Sequence, residues 1–150
     1  MGDGVILPQE KQQILDDIDG WLKTVYPYKN SSAYLCDPID AIEPNFRIMA
    51  QRKKYDIYIR FGKTWISDNK KSIVIARIGF NKKRVDHGTN LLKLLVKIAE
   101  LNNYQLIGIE CVNKNSQAFA LRFGFAEHTN DRNYVISIEK LSAILETLKT

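Results

Sequence analysis

The chain has 150 residues, of which 45% are hydrophobic and 26% charged, and a formal net charge of +5. Such a length suits one domain with a core that needs no staples, and the composition excludes disordered, fibrous and collagenous classes. No apolar run reaches the roughly 18 residues of a membrane-spanning helix, the opening MGDGVILPQEKQQ lacks a secretory pattern, and two cysteines (Cys36, Cys111) make no disulfide scaffold, so a cytoplasmic setting is expected.

The first predicted helix begins at Pro8, where a proline costs no hydrogen bond. Ile14, Ile18, Trp21, Leu22 and Val25 then recur at helical spacing until Pro27. The stretch from Tyr28 to Pro44 is dense in turn formers. From Phe46 the pattern becomes that of strands: Phe46–Met49, Tyr55–Phe61, a turn at Gly62-Lys63, a short strand Thr64–Ile66 and a second turn Asp68–Lys71. Ser72–Phe80 (SIVIARIGF) is strongly apolar and reads as a central strand. A polar loop, Asn81–His87, leads into a helix from about Gly88 to Asn102, with Leu91, Leu92, Leu95, Ile98 and Ala99 on its buried side. Gln105–Val112 is a buried strand, Asn115 or Ser116 caps a helix running to Arg122, and Gly124-Phe125 stops it. Short strands at Ala126–His128 and Tyr134–Ile138 precede a last amphipathic helix with Leu141, Ile144, Leu145 and Leu148. No repeat or linker divides the chain. The order implies an α+β layered domain spanning residues 1–150, with one strand–helix–strand unit in a mostly antiparallel sheet.

Two segments carry chemistry. In the first, Lys82-Lys83-Arg84-Val85-Asp86-His87-Gly88-Thr89 joins a strand to a helix start. Uncapped N–H groups and the helix dipole attract phosphate there, the three basic residues add charge, and Gly88 lets backbone approach a ligand. The net positive charge agrees with a phosphate partner, of a cofactor or a nucleic acid, and also with a solvated surface rich in lysine. The second segment runs from Asn113 to Phe125 (NKNSQAFALRFGF).

Together these segments resemble the acetyl-CoA-binding half of the GNAT-type N-acetyltransferases. In that family a Gln or Arg, two residues, a Gly, one residue, and a Gly or Ala precede a leucine-rich helix. Lys83 falls at the first of these positions and Gly88 at the last, while Asp86 stands where the first Gly belongs. The family's other signature has an Asn ending a strand, a small residue three later and a closing Gly-Phe; Asn113, Ser116 and Gly124-Phe125 match it in register. The resemblance implies a three-layer domain, a mixed and mostly antiparallel sheet flanked by helices. It implies acetyl-CoA as co-substrate, with the pantetheine arm entering between two splayed strands near Ile78, Phe80 and Asn113. The pyrophosphate would rest on the loop of Arg84, Val85, Asp86, His87, Gly88 and Thr89, with Lys83 also binding the cofactor. The acceptor amine would attack the thioester directly, with no covalent enzyme intermediate.

Three positions depart from the family. Asp86 replaces a glycine; aspartate tolerates left-handed backbone, or its side chain caps the following helix. Ala120 stands where many relatives carry an acid tyrosine. A thiol with a pKa near ~8.5 leaves tolerably without help, and Tyr134 is a candidate substitute. The strand Ser72–Phe80 lacks a carboxylate, which leaves Glu110 as the candidate base, or else as a solvated strand-end residue. Arg77 on that strand hints at an anionic group on the substrate, or is an ordinary exposed position. Tyr55, Tyr58 and Trp65 read as sheet packing, and the histidines and cysteines match no metal-ligand spacing.

The expected function is therefore direct acetyl transfer from acetyl-CoA to an amine on a small molecule or a protein, with an aminoacyl-tRNA as a less favoured acceptor. The alternatives are a catalytically degenerate module that binds CoA or a protein, and a nucleic-acid-associated accessory protein. No membrane partner is expected, and the chain is read as a monomer or homodimer.

Overall fold

A computed structural model of the chain describes residues 5–26, 29–80, 86–111, 113–128 and 132–148. The elements follow in the order α1 (Pro8–Val25), β1 (Ala33–Leu35), β2 (Asn45–Arg52), β3 (Tyr55–Thr64), β4 (Ser67–Phe80), α2 (His87–Asn102), β5 (Leu106–Glu110), α3 (Lys114–Arg122), β6 (Ala126–Glu127), β7 (Asn133–Ser137) and α4 (Ile138–Thr147). The strands form one sheet in the order β1-β2-β3-β4-β5-β7-β6. Only β4 and β5 pair in parallel, joined through α2; the other pairs are antiparallel.

Strict alternation builds the core. Ile48 and Ala50, Ile57, Ile59 and Phe61, Ile73 and Ile75, and Ile107 and Ile109 bury one face of the sheet. Apolar side chains of all four helices join them in one continuous cluster. In α1 the stripe of Ile14, Ile18 and Leu22 extends one turn back to Lys11. Lys11 buries its aliphatic stem, and its ammonium donates to the carbonyls of Ile39 (3.3 Å) and Ala41 (2.9 Å).

Some elements differ from the sequence reading. Gly62-Lys63 is not a turn, because β3 continues to Thr64. Gly62 instead sits at a ladder irregularity with φ +105°, pressed against the Pro44 carbonyl where a side chain could not fit. The hairpin turns at Trp65-Ile66, so Thr64–Ile66 is no separate strand and Asp68–Lys71 belongs to β4. β1 emerges inside the turn-rich stretch because its three residues find a partner in β2. Leu148 lies past the end of α4 and is half exposed.

One irregularity positions the site. Tyr58 pairs with Arg77 and Ile59 with Ile75, so Ala76 is an extra residue in β4. Such a bulge bends its strand and interrupts pairing. The β4–β5 ladder runs from Ser72↔Leu106 to Ile75↔Ile109 and stops at that point, while β4 continues beside β3 to Phe80. The middle of β4, before its paired stretch with β5, is tied down. Lys71 Nζ donates to both oxygens of Glu10 (3.0 and 2.9 Å) and to the Asn102 carbonyl (2.8 Å), and the Tyr104 hydroxyl donates to Glu10 (2.6 Å).

Candidate active site

A cleft of about 490 Å³ opens where β4 and β5 part. Ala76–Phe80 forms one wall, and Glu110, Asn113 and α3 form the other. Asp86–Thr89, at the start of α2, also lines it. The volume falls in the usual range for small-molecule sites. Past Ile75 the edge of β4 that faces β5 has no strand partner among the described residues, so its main-chain groups are available to an extended ligand. Ile78 and Phe80 lie on this edge and line the cleft.

The start of α2 is uncapped. Asp86 occupies the N-cap position in left-handed conformation (φ 49°, ψ 35°), and its side chain makes no cap hydrogen bond. Asp86 thus takes a glycine-like backbone conformation without being a glycine, and the alternative of an Asp86 cap does not hold. The first-turn N–H groups and the helix dipole are left to an anion. His87 begins α2 at 9% exposure, and its Nδ1 is buried without a hydrogen-bond partner among the described residues. A Cβ on Gly88 would come within 2.8 Å of the Phe119 ring. The glycine thus lets the Phe119 ring of α3 pack directly on the start of α2, a reason separate from ligand approach. Lys83, Arg84 and Val85 lie outside the described residues.

Asn113 lines the cleft and also caps α3: its Oδ1 accepts from the Ser116 N–H (2.9 Å), and Ser116 Oγ accepts from the Asn113 N–H (3.3 Å). That reciprocal box is purely local. Glu110, the last residue of β5, is one-quarter exposed and lines the cleft. Its Oε2 accepts from the Arg60 guanidinium and from Trp65 Nε1 (2.7 Å). Burial works against the Arg60 charge, but its contacts with Tyr58 and Glu110 outweigh that and raise its pKa above the ordinary value.

No protein-family model matches the chain, and no curated protein matches it significantly. Among solved structures, a chain of the KacTA–DNA complex superposes over 69% of this chain and 72% of its own length, with TM-score 0.50 and 11% identity. A tyrosine-to-phenylalanine variant of the AtaT toxin, bound to the C-terminus of the antitoxin AtaR, does so over 71% and 73%, with TM-score 0.50 and 10% identity. Both neighbours are GNAT-fold toxin acetyltransferases. The chain has the GNAT fold.

Against that GNAT framework, Ala120 is fully buried in the core. Tyr134, the candidate substitute, is not among the residues that line the cleft. It pairs with Ile109 on the helix-covered face, is 4% exposed, and its hydroxyl accepts from Gln117 Nε2 (2.8 Å). The sequence reading missed what surrounds Glu110. Trp65 is more than packing: its indole lies over Gly108, 3.1 Å from the position of a Cβ there, and also holds the carboxylate. Arg77 Nε donates to both oxygens of Asp56 (3.2 and 3.1 Å). Its guanidinium lies over the Tyr58 ring at 5.3 Å, with that of Arg60 at 5.1 Å. The aromatic-rich pattern of β3 was the one available signal for this cluster. Among the described residues no helix is long and apolar enough to cross a membrane, and no group of three His, Cys, Asp or Glu could hold a metal.

Proposed function

We propose that the protein is an acetyl-CoA-dependent N-acetyltransferase that transfers the acetyl group directly to an amine. One observation carries this reading: β4 and β5 part at a bulge, exposing an unpaired strand edge in a cleft that ends on an uncapped helix N-terminus. An acyl-pantetheine arm is an extended chain of amides that suits the edge at Ile78 and Phe80, and a pyrophosphate suits the turn at Asp86, His87, Gly88 and Thr89. Lys83, Arg84 and Val85 belong to the same phosphate site in this reading, and Asn113 flanks the arm.

The chemistry follows from these placements. The acceptor ammonium gives a proton to Glu110, the free amine attacks the thioester carbonyl, and a β4 main-chain N–H stabilises the oxyanion. The C–S bond then breaks, water gives a proton to the departing thiolate, and the hydroxide so formed takes the extra proton from the nitrogen of the amide product. Tyr134 has no part in this scheme, because its hydroxyl is buried against Gln117. A second reading, a CoA-binding module without catalysis, draws on the same burial of Tyr134 and Ala120. In both readings residues 1–150 act as one domain in the cytoplasm, as a monomer or homodimer.

Calorimetry with acetyl-CoA and with CoA, followed by thiol release over an amine panel, separates the readings. The first predicts binding and amine-dependent release. Binding without release on any amine favours the second, and no binding at millimolar acetyl-CoA removes both.

A further inference from the structure

We propose that the acceptor carries an anionic group, a carboxylate or a phosphate, close to the amine, and that Arg77 selects it. The inference rests on the acetyltransferase reading and names the acceptor class for the same cleft. Arg77 and Glu110 lie on opposite walls of the opening, each just past the last β4–β5 pair. Where the strands are still paired they run about 5 Å apart, so one small molecule at the fork meets both groups.

Each group is only half satisfied. Arg77 gives its Nε to Asp56 and lays its plane against Tyr58, while its two terminal nitrogens donate no hydrogen bond among the described residues. An arginine fixed along one edge presents a planar fork of N–H donors that matches a carboxylate or phosphate. Glu110 likewise receives Arg60 and Trp65 on Oε2 alone, and Oε1 accepts no hydrogen bond among the described residues. Asp56 offsets the Arg77 charge, so recognition depends on the directed donors more than on net attraction. Glu110 draws the ammonium and repels an anion; Arg77 does the reverse. A bipolar acceptor is thereby turned one way round, amine to β5 and anion to β4. A plain alkylamine has no group for the free fork.

The test uses the full chain, acetyl-CoA and two matched pairs: glycine against glycinamide for a carboxylate, and 2-aminoethyl phosphate against 2-aminoethanol for a phosphate. Thiol release is compared per unprotonated amine. The anionic member of at least one pair should exceed its neutral partner about tenfold or more in kcat/KM, the equivalent of one charge-assisted contact. Arg77→Gln should collapse that ratio toward unity. Arg77→Lys, which keeps the charge and loses the fork, should retain part of it and carries the test if the glutamine variant melts early. Equal rates within both pairs, or a preference that survives Arg77→Gln, overturns the inference. If acetyl-CoA binds and neither anionic amine is acetylated, the acceptor class alone falls. If acetyl-CoA does not bind, the acetyltransferase reading falls and takes this inference with it.

Discussion

The middle and the C-terminal end of β4 differ sharply in their surroundings. Ser72–Ile75 lies between β3 and β5, fully buried, next to a polar cluster in which Glu10, Lys71, Tyr104 and the Asn102 carbonyl bond one another. Ala76–Phe80 keeps β3 alone and faces a cleft whose charged groups, Arg77 and Glu110, are each paired on one side only. A single extra residue, Ala76, separates the two regimes. The sealed middle supplies rigidity and the open end supplies unmet hydrogen-bonding capacity. A site built this way is held in place by neighbours that take no part in its chemistry.

Substitutions can break this contrast at either end. The largest effect on stability is expected from Ile75→Ala, at the last buried pair. Truncating a fully buried isoleucine there should cost about 2–5 kcal/mol in urea unfolding. The same change at half-buried Ile78 should cost clearly less. Glu110→Gln should lower kcat by roughly 10²–10⁴-fold if the carboxylate takes the ammonium proton, measured by thiol release, without a matching loss of stability.

Deleting Ala76 tests the bulge itself. The β3–β4 ladder would become regular, β4 would straighten toward β5, and acetyl-CoA affinity by calorimetry should drop about tenfold or more while the fold persists. The smallest effect concerns the thiols. Burial pushes Cys111 above the ordinary thiol value, partly countered by Ser116, and burial does the same at Cys36. A raised pKa leaves little thiolate at neutral pH, so alkylation of both should be slow and climb as pH rises. Cys36, half exposed, should react before Cys111. Equal rates would mean that β5 past Glu110 is looser than its burial implies.

The sequence by itself determined the parts that rest on near neighbours. Periods of 3.6 and 2 located α1, α2, α4 and the strands of the core, and the Asn113–Ser116 box lies within four residues. The order of elements and two signatures pointed to the fold that the superpositions bear out. What only the tertiary structure decided depends on distant partners. β1 is a strand because β2 accepts it, the bulge at Ala76 exists only as a register between β3 and β4, and Glu110 meets Arg60 and Trp65 across 50 and 45 residues of chain. Tyr134 was a plausible acid by residue type, but pairing with Ile109 turned it into the core toward Gln117. A residue's face in a sheet is set by register, and register is a property of two strands together, so no local pattern could have told the buried tyrosine from the glutamate at the cleft.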